Sequence, residues 1–66
     1  MEKSHFDRGL AFFYSENYEK ALIEFSKAIG LNPMFAEAYC NRGATYHELT
    51  RYDEALDDYS KAIYII

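Results

Sequence analysis

The 66-residue chain repeats itself after 34 positions. Shifting the sequence by this distance brings nine identical residues together, and the longest match pairs residues 26–29 with residues 60–63. A period of this length is typical of repeat proteins, in which each copy of a small unit buries its apolar face against the next copy. The sequence therefore predicts two tandem units, residues 2–35 and residues 36–66, within one structural domain.

Apolar residues follow helical spacing in both units, and the strict alternation that indicates a strand is absent. In the first unit the spacing includes Ala21, Leu22, Phe25 and Ala28. We predict four helices, at residues 3–15, 18–31, 36–49 and 52–65. Pro33 donates no backbone hydrogen bond and disfavours the helical conformation of the residue before it, so the first unit should end there.

Small and aromatic residues recur at matching positions, and their pattern resembles that of tetratricopeptide repeats over nearly the whole chain. The small residues of the pattern correspond to Gly9, Ala21, Ala28, Gly43, Ala55 and Ala62. The aromatic residues correspond to Phe12, Tyr18, Phe25, Tyr46, Tyr52 and Tyr59. The closing proline corresponds to Pro33. The resemblance implies an all-α fold of two tandem helix-turn-helix repeats, whose four antiparallel helices form a short right-handed solenoid segment.

The sequence departs from the family pattern at several positions. His5 stands where a large aromatic residue is usual, and Arg8 and Arg42 replace a common leucine. Glu16 and Thr50 occupy the turn inside each repeat, where glycine is frequent. The second unit stops at Ile66, before a second closing proline, and so is expected to lack its end and a capping helix. The residues at positions 5, 8 and 42 are compatible with the fold, whereas the turn residues and the missing end bear on how the helices assemble.

The resemblance places the first helix of each unit on a concave face that binds a segment of a partner protein. We call the residues that it puts there the concave-face set: Lys3, Phe6, Asp7, Leu10, Phe13, Tyr14, Glu37, Cys40, Asn41, Ala44, His47 and Glu48. In each helix the set has the spacing of one helical stripe. Phe6, Leu10 and Phe13 form an apolar strip that packing inside the first unit does not require. The strip either holds an apolar anchor of a partner peptide or helix, or packs against its neighbours or a second copy.

A second hypothesis is structural, with another copy of the chain as the partner. Repeat arrays usually need about three units and a polar cap, whereas the last helix carries the apolar residues Ile63, Tyr64, Ile65 and Ile66. We predict a homo-oligomer, and specifically a homodimer, formed by stacking end to end or by a helix swap. Stacking is the favoured route, because Tyr52 repeats the packing residue Tyr18 that a normal turn needs. Residues 48–53 contain no glycine or proline, so the third and fourth helices could fuse and exchange between copies.

Charge and composition argue against other functions. A net charge of −4 has the wrong sign for a nucleic-acid partner, and the longest apolar run, residues 10–14, is too short to span a membrane. Cys40 has no partner for an internal disulfide, so we expect a reducing, cytoplasmic location. Cys40 and His47 lie about 10 Å apart along a helix, too far to share a metal ion. Without a catalytic set, we expect no enzymatic activity, cofactor or metal.

Four acidic residues open the last predicted helix: Asp53, Glu54, Asp57 and Asp58. Negative charge at this end of a helix interacts favourably with the helix dipole. We therefore expect a solvated acidic face and not a separate binding site.

Overall fold

The computed structural model describes residues 1–66 and contains four α-helices and no strands. The helices are α1 (Glu2–Tyr14), α2 (Tyr18–Leu31), α3 (Ala36–Glu48) and α4 (Tyr52–Ile65). They agree with the predicted helices to within one residue at each end. α1 packs against α2, α3 packs against α4, and α2 joins the two hairpins through its contact with α3. The predicted all-α architecture of two helical hairpins is confirmed.

The turns inside the two hairpins have the same backbone geometry. Glu16 has φ 64° and Thr50 has φ 59°, both in the left-handed region that favours glycine. In the first turn the amide of Asn17 donates to the carbonyl of Phe12 over 2.8 Å, and that of Arg51 donates to Tyr46 over 2.8 Å in the second. The carbonyl of Phe12 also accepts from Oγ of Ser15, and that of Tyr46 also accepts from the amide of Leu49, so both helix ends are well satisfied. The two departures from glycine therefore fall at the most constrained backbone position of each turn.

A tight turn at Asn32 and Pro33 separates the hairpins. The amide of Phe35 donates to the carbonyl of Asn32 over 3.0 Å. The side-chain oxygen of Asn32 also accepts from the amide of Met34 over 3.2 Å. Proline suits the second position of such a turn because its φ is already fixed near the required value. The end of α2 at Leu31 follows from this local chemistry, as the sequence predicts.

The helices of each hairpin approach most closely at a glycine. A Cβ atom placed on Gly9 would lie 2.6 Å from ring carbons of Phe25, a side chain that is fully buried. A Cβ atom on Gly43 would lie 3.0 Å from the ring of Tyr59 and 3.2 Å from the backbone oxygen of Ala55. Both rings therefore occupy the space that a larger residue would need.

We predict that Gly9→Ala and Gly43→Leu lower the free energy of unfolding, because overpacking at such sites costs about 1 to 3 kcal/mol or more. Gly30→Ala is the matched control, since nothing lies within 4 Å of the added methyl group. This control should stabilise the chain by about 0.5 to 1 kcal/mol, because alanine favours helix. Urea unfolding measures all three, and equal midpoints for wild type and Gly43→Leu would contradict the prediction.

We further predict that Thr50→Gly stabilises the chain by about 1 kcal/mol, because a left-handed conformation costs a residue with a Cβ atom about 1 to 2 kcal/mol. Glu16→Gly should stabilise it less, since glutamate lacks the second branch on Cβ that strains Thr50. Thermal unfolding monitored by circular dichroism measures both. A lower Tm for Thr50→Gly would show that its backbone is unstrained.

Candidate functional site

The structure places most of the concave-face set at the surface. Seven of its members are exposed: Lys3, Asp7, Tyr14, Glu37, Cys40, His47 and Glu48. Four are half-buried: Leu10, Phe13, Asn41 and Ala44. The molecule is 14 Å along its shortest axis, and no closed pocket is present. Any ligand of this face would therefore lie on an open surface.

Phe6 is the one member of the set that lies in the core. Only 8% of its surface is exposed. Its ring centroid lies 5.7 Å from that of Phe25 in α2 and 4.9 Å from that of Phe35, just before α3. Phe6 therefore packs both within its own hairpin and against the next one. The expectation that packing inside the first unit does not require it is wrong, because the first turns of α1 lie over the junction of the hairpins.

The rest of the apolar strip joins a group of aromatic residues, of which Tyr14 alone is exposed and the others are half-buried. Leu10 and Phe13 pack against the core from outside. The Phe13 ring lies 5.6 Å from Tyr14 and 5.5 Å from Tyr18, in both cases edge to face. This geometry is favourable for aromatic rings. We call Leu10, Phe13, Tyr14 and Tyr18 the aromatic patch.

Acidic groups lie beside this patch. The pKa of Tyr18 is raised, first by burial and then by the negative charges of Glu48 and Glu16. Glu48 ends α3, so its carboxylate comes from the second repeat to the start of α2. The pKa of Tyr59 is also raised, first by burial and then by Cys40 and Glu48. The concave face is thus aromatic on the first repeat and acidic where the second adjoins it.

Some polar side chains that α3 contributes to the concave-face set already have interaction partners within the protein. The side-chain amide of Asn41 donates to the backbone oxygen of Glu37 over 2.9 Å. The ring of His47 lies 5.2 Å from that of Tyr52, edge to face. Cys40 is a free, exposed thiol. This half of the face therefore presents mainly small and acidic groups, with Asn41 directed along its own helix.

An ion pair that the sequence analysis did not predict joins the two helices of the second repeat. Arg42 donates from Nε to Oδ2 of Asp58 over 2.7 Å and from Nη2 to Oδ1 over 2.8 Å. Its Nη1 donates to Oγ of Ser26 in α2 over 3.1 Å, so the same side chain crosses between the repeats. The hydrogen bonds to Asp58 raise the pKa of Arg42. Paired hydrogen bonds of this kind are among the strongest between side chains.

The expectation of a solvated acidic face is therefore wrong for Asp58. Only 2% of Asp58 is exposed, whereas Asp53, Glu54 and Asp57 are exposed as expected. The sequence did contain a signal, because an acidic residue and an arginine both recur after 34 positions, Glu24 with Asp58 and Arg8 with Arg42. When an arginine on the first helix and an acidic residue on the second helix recur in both repeats, the pattern indicates an ion pair between the two helices.

The first repeat uses a different arrangement at the corresponding positions. Glu24 accepts a hydrogen bond from Nδ1 of His5 at 2.8 Å, while Nη1 of Arg8 lies 3.9 Å away. The hydrogen bond with His5 lowers the pKa of Glu24. In the second repeat Tyr39 stands at the position of His5. The departure at His5 thus supplies a partner for Glu24 and leaves Arg8 largely exposed.

We predict that Arg42→Ala lowers the free energy of unfolding by about 3 to 5 kcal/mol, because it leaves Asp58 buried without a partner. Arg8→Ala is the matched control at the same repeat position and should cost less than about 1 kcal/mol, as exposed pairs do. The double variant Arg42→Leu with Asp58→Leu should recover most of the loss, since it removes both charges. Chemical denaturation checks the series, and equal losses for the two arginines would contradict the prediction.

Comparison with known protein families agrees with this geometry. A family model described as TPR repeat matches residues 9–50, and one described as tetratricopeptide repeat matches residues 36–66. The chain therefore belongs to the tetratricopeptide repeat family. A search of curated proteins found no match. None of the four helices is both long enough and apolar enough to cross a membrane.

Proposed function

We propose that this chain is a protein-interaction scaffold that binds a segment of a partner protein on its concave face. Tetratricopeptide repeats are generally protein-interaction modules, which supports the class of function. The main observation that supports this site is the aromatic patch. Tyr14 is 78% exposed there, while Phe13 and Leu10 are half-buried. Tyrosine and phenylalanine are enriched at protein interfaces, so the exposure of Tyr14 beside Phe13 supports this assignment.

The chemistry of the face suggests what the partner segment contains. An apolar anchor would contact Leu10 and Phe13, and a basic residue beside it would lie near the carboxylate of Glu48, which interacts with Tyr18 of the aromatic patch. The net charge of −4 also favours a basic partner and disfavours nucleic acid. We propose a helical or extended peptide in this role, bound without catalysis, cofactor or metal, in the cytoplasm.

A random peptide library selected on the purified chain tests this proposal. We predict selected peptides that combine an aromatic or aliphatic anchor with lysine or arginine. Their affinity should fall about tenfold or more in Tyr14→Ser with Phe13→Ser, which corresponds to about 1.4 kcal/mol. The matched control is Ile23→Asp, an exposed α2 position where the second repeat carries Asp57.

Circular dichroism of each variant shows whether the fold is retained. Equal binding by the Tyr14/Phe13 variant and wild type would place the peptide elsewhere and overturn the proposed site. Phe6→Ala does not suit this test, because the loss of a buried ring costs about 3 to 5 kcal/mol of stability by itself.

Self-association is the second candidate function, and exposed apolar residues at the end of α4 favour it. Ile63, Tyr64 and Ile66 are 75%, 89% and 95% exposed, while Ile65 is half-buried. Burial of such side chains is worth about 25 cal/mol for each Å² removed from water. Stacking of copies is favoured over a helix swap, because α3 and α4 are separate helices that reverse direction at Thr50 with the same bonds as the first turn.

A further inference from the structure

Three rings of the aromatic patch are steeply inclined to one another. The ring of Phe13 makes an angle of 84° with that of Tyr14 and of 66° with that of Tyr18, and the ring centroids lie 5.6 Å and 5.5 Å apart. Tyr14 is exposed, and the other two rings are half-buried. We call Phe13, Tyr14 and Tyr18 the ring cluster. Because its rings present their faces in different directions, a small group that binds there can contact more than one face.

Two carboxylates lie beside the ring cluster without a cation of their own. Burial is the first cause of the raised pKa of Tyr18, and the negative charges of Glu48 and Glu16 add to it. Both carboxylates are therefore close to the phenol. Neither takes part in an ion pair, since the ion pairs of the chain involve other acidic residues. The ring cluster thus has uncompensated negative charge at its edge.

The cations of the chain itself lie over other rings. Lys20 is 5.8 Å from the centroid of the Phe12 ring, and Arg51 is 5.0 Å from that of Tyr46. The remaining contacts of this kind also involve rings outside the ring cluster. No lysine or arginine of the chain therefore competes with an external cation for these three rings.

This combination of groups favours an alkylated ammonium over an ordinary lysine. Cations are attracted to aromatic faces, and quaternary ammonium groups are bound in proteins by several rings together. An unmodified ammonium is strongly hydrated and would depend on Glu16 and Glu48, which are exposed and would contribute little as ion pairs. A trimethylated ammonium keeps the positive charge, needs no hydrogen bond, and buries its methyl groups against the rings.

We propose that the ring cluster binds a trimethylated lysine side chain of the partner segment, with Glu16 and Glu48 balancing its charge. The inference rests on the proposed function and specifies the basic residue of the partner. The site lies within the chain, because α1 and α2 supply the rings and α3 supplies Glu48.

The second repeat lacks this site. His47, Glu48 and Thr50 stand at the positions that Phe13, Tyr14 and Glu16 have in the first repeat. One aromatic residue of the ring cluster, Tyr18, has an aromatic counterpart, Tyr52, so the second repeat has one phenol ring and no cluster. We therefore expect one binding site in each chain.

Tetramethylammonium chloride is the first probe, because it presents the cation without a peptide. In NMR titrations it should cause saturable shifts of the ring signals of Tyr14 and Tyr18, with potassium chloride as the control for ionic strength. tert-Butanol has nearly the same size and no charge, and it should bind about threefold more weakly. Glu48→Gln should weaken binding of the cation about twofold and leave tert-butanol unchanged. The absence of a saturable shift, or equal binding of the two probes, would overturn the proposal.

A pair of tyrosine variants tests the contribution of the rings. Tyr14→Leu keeps an apolar side chain and removes an aromatic face, so it should weaken tetramethylammonium binding about threefold. Tyr64→Leu is the matched control, because Tyr64 is also a highly exposed tyrosine, at 89%, and lies in α4. The control should bind like wild type. Circular dichroism checks the fold of each variant, and equal weakening in both would contradict the assigned site.

Peptides separate this inference from the proposed function. Two synthetic random libraries are needed, identical apart from trimethyl-lysine or lysine at a fixed central position. Peptides selected from the first should lose about fivefold in affinity when remade with lysine, and Tyr14→Leu should remove that preference. Equal affinity for both forms, lost in Tyr14→Ser with Phe13→Ser, would overturn trimethyl-lysine recognition and leave the proposed function intact. Binding that this double variant leaves unchanged would overturn the proposed site itself, and binding by neither library would overturn both.

Discussion

The contact between a large ring and the bare backbone of a glycine determines the separation of the helices in each hairpin. Phe25 lies against Gly9 and Tyr59 lies against Gly43. Since both pairs occupy the same repeat positions, the two hairpins have the same internal geometry, and the outer surfaces of α2 and α4 become equivalent. That equivalence allows the exposed residues of one repeat to be interpreted from the buried residues of the other.

Much of the fold could be predicted from the sequence because its signals are local or periodic. Helix ends follow from Pro33 and the turn positions, and the hairpin packing follows from the repeated small and aromatic residues. Phe6 was placed on the wrong face, because α1 has apolar residues on two sides and spacing does not say which side meets Phe35. The burial of Asp58 depends on its pairing with Arg42 of another helix. The run of acidic residues around Asp58 does not show which one of them has this partner.

Differences between the repeats explain which surfaces remain available for binding. Arg42 donates hydrogen bonds to Asp58 and Ser26, so it stabilises the second hairpin and its junction with the first. In the first hairpin Glu24 has His5 as its hydrogen-bond partner instead, and Arg8 remains exposed. A substitution at one aromatic position therefore changes the role of an arginine three residues later. The candidate concave site could be assigned to α1 and α3 from the resemblance, but only the side-chain packing shows that Phe6 is buried and that Tyr14 is exposed.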